Sequence, residues 1–328
     1  MAPVLAALLL VGCGPKEDAG DSAAPEGASL TAVTFNSGTT EGMTHDAEPD
    51  DGYTGAHAVT SDTHYGDGLA WIPAVDATAQ WFAELKPDIV VFQEIFHSED
   101  CAIIPPDQHA DFVCERWQAG DPVVAQEVLG PDYEVRCHPG KNDKCIAVRS
   151  AFGSLGELDG FDVEGCGSGA RVARGLIERT DGSELTVVNY HGSSGLTPED
   201  QDCRTRQVDQ VFVDLGDGEP GANGSRNLVM GDLNTDPGRW GDIDTSAARW
   251  NDFVGDKGDL QFHTEVGPEA EPSYLLANID HVMSDAFSGD CWTAGISEGH
   301  DDVIDAVYFD HKPAVCDLSD EFLSSSAR

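Results

Sequence analysis

Six apolar runs in this chain each stop at a side chain able to bind a cation or move a proton. Phe35 is followed by Asn36, and residues 89–92 lead into Gln93-Glu94. Val187-Val188 leads to Asn189-Tyr190-His191, and residues 228–230 lead to Gly231-Asp232-Leu233-Asn234. Ile279 precedes Asp280-His281, and Tyr308-Phe309 precedes Asp310-His311. Strands laid side by side would bring these ends to one rim. Carboxylates crowded there repel each other, and burying them unpaired is costly. A divalent cation resolves the conflict, and oxygen ligands favour a hard ion such as Mg²⁺ or Ca²⁺ over zinc.

The surrounding pattern is that of one mixed α/β domain beginning near residue 30. Residues 30–35 alternate like a half-buried strand, and residues 89–92 are continuously apolar, as in a strand covered on both faces. Residues 74–86 have helical spacing and stop before Pro87; residues 198–215 form a second amphipathic stretch. Residues 176–178 and 185–189 pair across Asp181-Gly182. Residues 228–230, 279–283 and 303–309 predict further strands, while 37–70 and 216–225 read as loops. The chain carries 60 Asp+Glu against 18 Lys+Arg, a formal net charge of −42. That excludes a coat protein held to nucleic acid by a basic surface, and attraction to anionic headgroups. It is compatible with an acidic site neutralised by cations.

Residues 4–11 form an apolar run too short to span a bilayer but of signal-peptide size. Leu10-Val11-Gly12-Cys13 resembles the lipobox of bacterial lipoproteins, although no Lys or Arg precedes the run. The resemblance implies a signal at 1–12, lipidation of Cys13, and a flexible tether over 13–29, which carries no large apolar side chain from residue 14 onward. The remaining eight cysteines suit an exported chain. Sequence leaves their pairing open; the neighbour pairs Cys101–Cys114, Cys137–Cys145, Cys166–Cys203 and Cys291–Cys316 are the expectation.

The segments DIVVFQE, GDLNTDP, NIDH and DHKPAV, in this order, resemble the motifs of the endonuclease/exonuclease/phosphatase superfamily, the deoxyribonuclease-I-like group. The resemblance runs from about residue 30 to 318. It implies an α/β (α+β) four-layered sandwich of two packed mixed β-sheets flanked by helices, in a catalytic domain over 30–328. It also implies roles: Glu94, Asp310 and Asn36 as metal ligands, with Mg²⁺ (or Mn²⁺ or Ca²⁺) as cofactor. Asp232 and Asn234 would position and activate water. His311, oriented by Asp280, and His191 would face the phosphate, with Asn36, Arg174 and Arg204 as further phosphate contacts. Gly38 stands where the family often has an acidic residue, which favours one metal over two. His281 is excluded because it lies on the opposite strand face from Asp280.

The resulting expectation is a metal-dependent phosphodiesterase using in-line water attack, an extracellular nuclease or nucleotide-type phosphodiesterase. A basic cluster (Arg136, Lys141, Lys144, Arg149, Arg171, Arg174 and Arg179) is a candidate phosphate patch. A sphingomyelinase-like or inositol-phosphate phosphoesterase is the alternative. A non-catalytic Ca²⁺-binding surface lipoprotein, using the acidic residues 44–67 with His45, His57 and His64, is the alternative of another class. The expected partners are a phosphate-ester substrate, nucleic acid among the candidates, and a membrane met only through the lipid anchor; a monomer is expected. The expected location is the bacterial cell surface or the periplasmic side of the outer membrane, else secreted. Cys13→Ser is expected to move the protein from the membrane to the soluble fraction on ultracentrifugation, and unchanged fractionation would refute the anchor.

Overall fold

A computed structural model describes residues 29–40 and 51–320. Cys13, the signal, nearly all of the tether and His45 lie outside the described residues. Two six-stranded sheets stack face to face. The first contains β1 (Ser29–Asn36), β2 (Ile89–Gln93), β3 (Tyr133–His138), β4 (Lys141–Arg149), β11 (Phe287–Thr293) and β12 (Ala314–Asp320), in the order β11-β12-β1-β2-β4-β3. The second contains β5 (Gly153–Gly160), β6 (Val172–Arg179), β7 (Glu184–His191), β8 (Asn227–Asp232), β9 (Gln261–Phe262) and β10 (Asp280–Ser284), in the order β5-β6-β7-β8-β10-β9.

Strand periodicity accounts for the layers. Leu30, Ala32, Ile89 and Val91 from the first sheet meet Leu185, Val187, Leu228, Met230 and Val282 from the second. The alternate residues Val33, Phe35, Val90 and Phe92 face outward. There they meet α2 (Ile72–Leu85) and α3 (Val124–Leu129), which follow α1 (Gly55–Thr60) in the chain. On the other side Val188, Tyr190 and Val229 pack under α4 (Pro198–Phe212) and α6 (Thr245–Phe253), with the short α5 (Pro237–Trp240) between those helices in sequence. Both faces of β2 and β8 are covered, so these strands read as unbroken apolar runs. Helix α4 starts where Thr197 caps it, reciprocated by Asp200, with Pro198 at the first turn.

All four neighbour disulfides are present. Two of them, Cys137–Cys145 and Cys291–Cys316, join register partners on adjacent strands. Two expectations fail. Residues 303–309 form no strand: Val303, Tyr308 and Phe309 are buried, but 303–307 bend and only an isolated bridge joins Phe309 to Thr39. Tyr308 instead accepts hydrogen bonds from the amides of Ala70 and Trp71 through its hydroxyl. Residues 55–65, read as loop, are helical because Tyr53 and Tyr65 anchor them, Tyr53 packing on Trp71 and Tyr308. Phe92, fully buried against Phe35 and Phe82, offers a direct check of the outer layer. Phe92→Ala is expected to cost about 3–5 kcal/mol in urea unfolding with an unchanged denaturant slope.

Candidate active site

Register explains why the polar residues meet. β1 runs parallel to β2, and β7 runs parallel to β8, so their C-terminal ends share a rim. β10 is antiparallel to β8 and places Asp280 opposite Asp232, while His191 pairs with Asp232 on the other side. β12 is antiparallel to β1, so the chain just before it, carrying Asp310 and His311, arrives at the same rim. On each strand the polar residue continues the parity of the inter-sheet apolar side chains: Asn36 after Ala32, Gln93 after Val91, Asp232 after Met230. These side chains therefore point into the gap between sheets.

The gap buries Asn36, Gln93, Asn189 and Asp232, and their polar atoms satisfy each other across it. Asn36 Nδ2 donates to Asp232 Oδ2 at 3.0 Å. Asn234 donates to the same carboxylate twice, through its amide at 2.7 Å and its side chain at 2.9 Å. One layer deeper, Gln93 Nε2 donates to Asn189 Oδ1 at 2.7 Å, and Asn189 Nδ2 donates to the carbonyls of Phe92 and Cys145. Gln93 and Asn189 were visible at strand ends, but nothing in the sequence marked them as the bolt between the sheets.

His311 Nδ1 lies 2.7 Å from Asp280 Oδ2, and its Nε2 faces Asn36 at 3.4 Å and Asp232 at 3.9 Å. Burial opposes a charge on His311. The carboxylates of Asp280 and Asp232 outweigh it and lift the pKa to about 10. Burial pushes Asp232 up to about 7 and Asp310 up to about 6. Burial, then the nearby cations Lys144 and Arg171, depress His191 well below the usual histidine range. Its Nε2 sits 3.3 Å from Glu94 and 3.5 Å from Asp232.

Asp232, Asp280 and His311 approach one another within 4.8 Å. His311 Nδ1, however, is spent on Asp280, so this trio is suited to handling protons. A different set fits a cation. Glu94 Oε2, Asp310 Oδ1 and Asn36 Oδ1 all lie within 3.2 Å of the point where a Cβ on Gly38 would stand. Asp310 Oδ1 is buried without a hydrogen-bond partner. Three convergent oxygens, two from carboxylates, form a donor set suited to a hard divalent ion. Glu94 reaches this cradle because its backbone turns to φ +55°, out of strand geometry. Asn234, at φ +50°, shares that conformation.

Arg174 and Arg204 are corrections. Arg174 faces away from the inter-sheet gap, where Asp159 and Asp217 pair with it. Arg204 is fully buried, with its donors spent on Ser246, Asp244 and the carbonyls of Ser193 and Gly195. It braces the loop beside the site, with four of its five N–H groups engaged inside the protein. His281 points outward to Thr264 and the Asn278 carbonyl. The basic cluster divides: Arg136, Arg149 and Arg179 form ion pairs elsewhere, while Lys141, Lys144 and Arg171 line the cavity at the site.

The site opens into a cavity of about 1350 Å³, joined at Glu94, Asp310 and Tyr274 to a more apolar one of about 690 Å³. Tyr274 packs on His311 with ring centroids 4.6 Å apart. No motif pointed to Tyr274.

Residues 59–301 match the model of the Endonuclease/Exonuclease/phosphatase family. The chain belongs to this family. Membership places it among phosphodiesterase and phosphatase hydrolases. Solved structures agree on the fold. The endonuclease/exonuclease/phosphatase from Bacteroides vulgatus superposes with a TM-score of 0.53 at 12% identity, covering 89% of this chain and 99% of that one. A family protein from Bacteroides thetaiotaomicron gives 0.51 at 17%, covering 89% and 95%. D. rerio TDP2 complexed with a single-strand DNA product gives 0.52 at 12%, covering 89% and 99%. A search of curated proteins finds no match. At these identities the solved structures attest the fold alone.

The Gly38 cradle yields a direct test. A Cβ there would stand 2.3 Å from Glu94 Oε2, so Gly38→Ala is expected to weaken Mn²⁺ binding about tenfold or more. Electron paramagnetic resonance titration reads this, and circular dichroism should remain unchanged.

Proposed function

We propose that this protein is a divalent-metal-dependent phosphodiesterase acting by in-line attack of water, of the extracellular nuclease or nucleotide-type class. The observation that carries the reading is the cradle of Glu94, Asp310 and Asn36 oxygens near the His311–Asp280 pair, where Glu94 and Asp310 line both cavities and His311 the smaller one. A hard cation held by these three would supply Lewis-acid polarisation of a phosphoryl oxygen. Asp232, held by Asn36 and Asn234, is oriented to take a proton from water. His311, fixed through Nδ1 by Asp280, can donate from Nε2 to an oxygen on which charge develops. His191, between Glu94 and Asp232, offers a further nitrogen at the same place. The four disulfides support an exported protein, and we extend the proposal to a surface lipoprotein anchored through Cys13.

One observation favours a second substrate class. Leu275 and Leu276 form the tip of a two-residue turn between Tyr274 and Ala277, 72% and 87% exposed at the cavity mouth. With Leu196, also exposed, this apolar lip suits a lipid phosphodiester such as sphingomyelin.

The purified, disulfide-bonded protein is expected to hydrolyse bis-p-nitrophenyl phosphate with Mg²⁺ or Mn²⁺. Turnover should vanish in EDTA and return with added metal. His311→Ala should lower kcat by about 10²–10⁴-fold. A parallel panel of plasmid DNA, RNA, sphingomyelin and inositol phosphates assigns the substrate. No metal-dependent turnover anywhere in the panel would reject the enzyme reading in favour of a Ca²⁺-binding module.

A further inference from the structure

Lys141, Lys144 and Arg171 stand on one wall of the larger cavity, beside Glu94 and His191. Their placement is built into the fold at both ends. The amide of Ile95, next to Glu94, donates to the Asp143 carbonyl at 3.0 Å. The amide of His191 donates to the Arg171 carbonyl at 2.9 Å, and Arg171 Nη1 reaches the Gly192 carbonyl at 3.3 Å. The hairpin between β3 and β4 is clamped at its base by Cys137–Cys145, which flanks both lysines. Its tip is locked to the strand entering β6: the Ala170 amide donates to the Pro139 carbonyl, and His138 Nδ1 meets the Ala170 carbonyl at 2.9 Å. A Cβ on Gly169, at φ +77°, would fall 2.2 Å from the Gly140 carbonyl oxygen, so only glycine permits this contact.

The charges on this wall are under-neutralised. Lys144, 1% exposed, donates to Asp143 at 2.8 Å, and Lys141 stands 3.9 Å from the same carboxylate. Arg171 has no carboxylate partner among the described residues, and its Nε is buried without a hydrogen-bond partner. Apart from Glu94, which belongs to the cradle, three cations and one carboxylate leave an excess of two positive charges on this wall. A chain with 60 acidic residues and only 18 Lys+Arg concentrates this excess beside its reaction centre. The same cavity is also lined by Asp301, Asp302 and Asp305, of which Asp302 is paired with Lys312. A continuous polyanion crossing the mouth would meet repulsion there.

We infer that Arg171, Lys141 and Lys144 form a subsite for a second, dianionic phosphate, selecting short phosphodiesters that carry an additional phosphoryl group. The inference rests on the phosphodiesterase reading and names its substrate class. A phosphate dianion matches the excess charge, whereas a carboxylate or a zwitterionic headgroup does not.

Calorimetric titration in EDTA separates the subsite from turnover. Thymidine 3′,5′-bisphosphate is expected to bind about tenfold or more tightly than thymidine 5′-monophosphate. Arg171→Ala and, separately, Lys141→Ala should abolish that preference. Equal affinities in the unmodified protein, or a preference that survives in a folded Arg171→Ala or Lys141→Ala protein, would overturn the inference. In a second arm, kcat/KM for bis-p-nitrophenyl phosphate, which has no second phosphate, should stay within about twofold in the Lys141→Ala protein. Collapse of that activity would place these cations on the reacting phosphate and overturn a separate subsite. Should the unmodified protein turn over no diester, the phosphodiesterase reading fails while the titration still decides whether the second phosphate binds.

Discussion

Polar groups buried between two sheets must find their partners across the gap, and this constraint shapes the site. Away from the rim, the inter-sheet layer is apolar and needs no partners. At the rim, Asn36 and Asp232 come from opposite sheets and satisfy one another, as do Gln93 and Asn189 beneath them. Leaving any of these unpaired would cost about 1–3 kcal/mol. The same bonds that hold the sheets in register therefore hold the reactive side chains still. Stability and preorganisation share one set of contacts, and Glu94 alone reaches the cradle by leaving strand geometry.

The acidity of the chain acquires a structural sense. Most arginines are drawn into ion pairs or buried networks: Arg204 with Asp244, Arg179 and Arg226 with Asp320, Arg239 with Asp236. The cavity is the exception. It sets Lys141, Lys144 and Arg171 beside a cradle of oxygens, with further aspartates and Lys312 along the same cavity. Such a field falls steeply over a short distance, which suits recognition of a compact charged ligand better than a long one. The adjoining apolar lip offers a different kind of contact to whatever group flanks the phosphate.

Much of the fold could be read directly. The continuous run at 89–92, the hairpin around Asp181-Gly182, and the helix capped at Thr197 are encoded locally. The segment 303–309 was not legible, because three buried side chains in seven residues resemble a strand, whereas its pairing is confined to an isolated bridge between Phe309 and Thr39. Arg174 and Arg204 could not be separated from Arg171 by sequence. All three lie near strands or helices that border the site, and only the surrounding carboxylates and carbonyls show which guanidinium is already committed. Tyr274 was invisible because its contact with His311 joins two loops that no periodic pattern connects.

Sequence by itself determined which chemical groups end which strands. Apolar parity along each strand fixes the face, and a motif of a few residues places a carboxylate, amide or imidazole at its end. Only the tertiary structure decided which of those groups share space and which are already occupied. Parallel pairing of β1 with β2 and of β7 with β8 set the common rim, and non-local contacts turned Glu94 toward Gly38 and Arg174 toward Asp217. Strand identity follows from local spacing, whereas a side chain's freedom to act depends on partners far away in the chain.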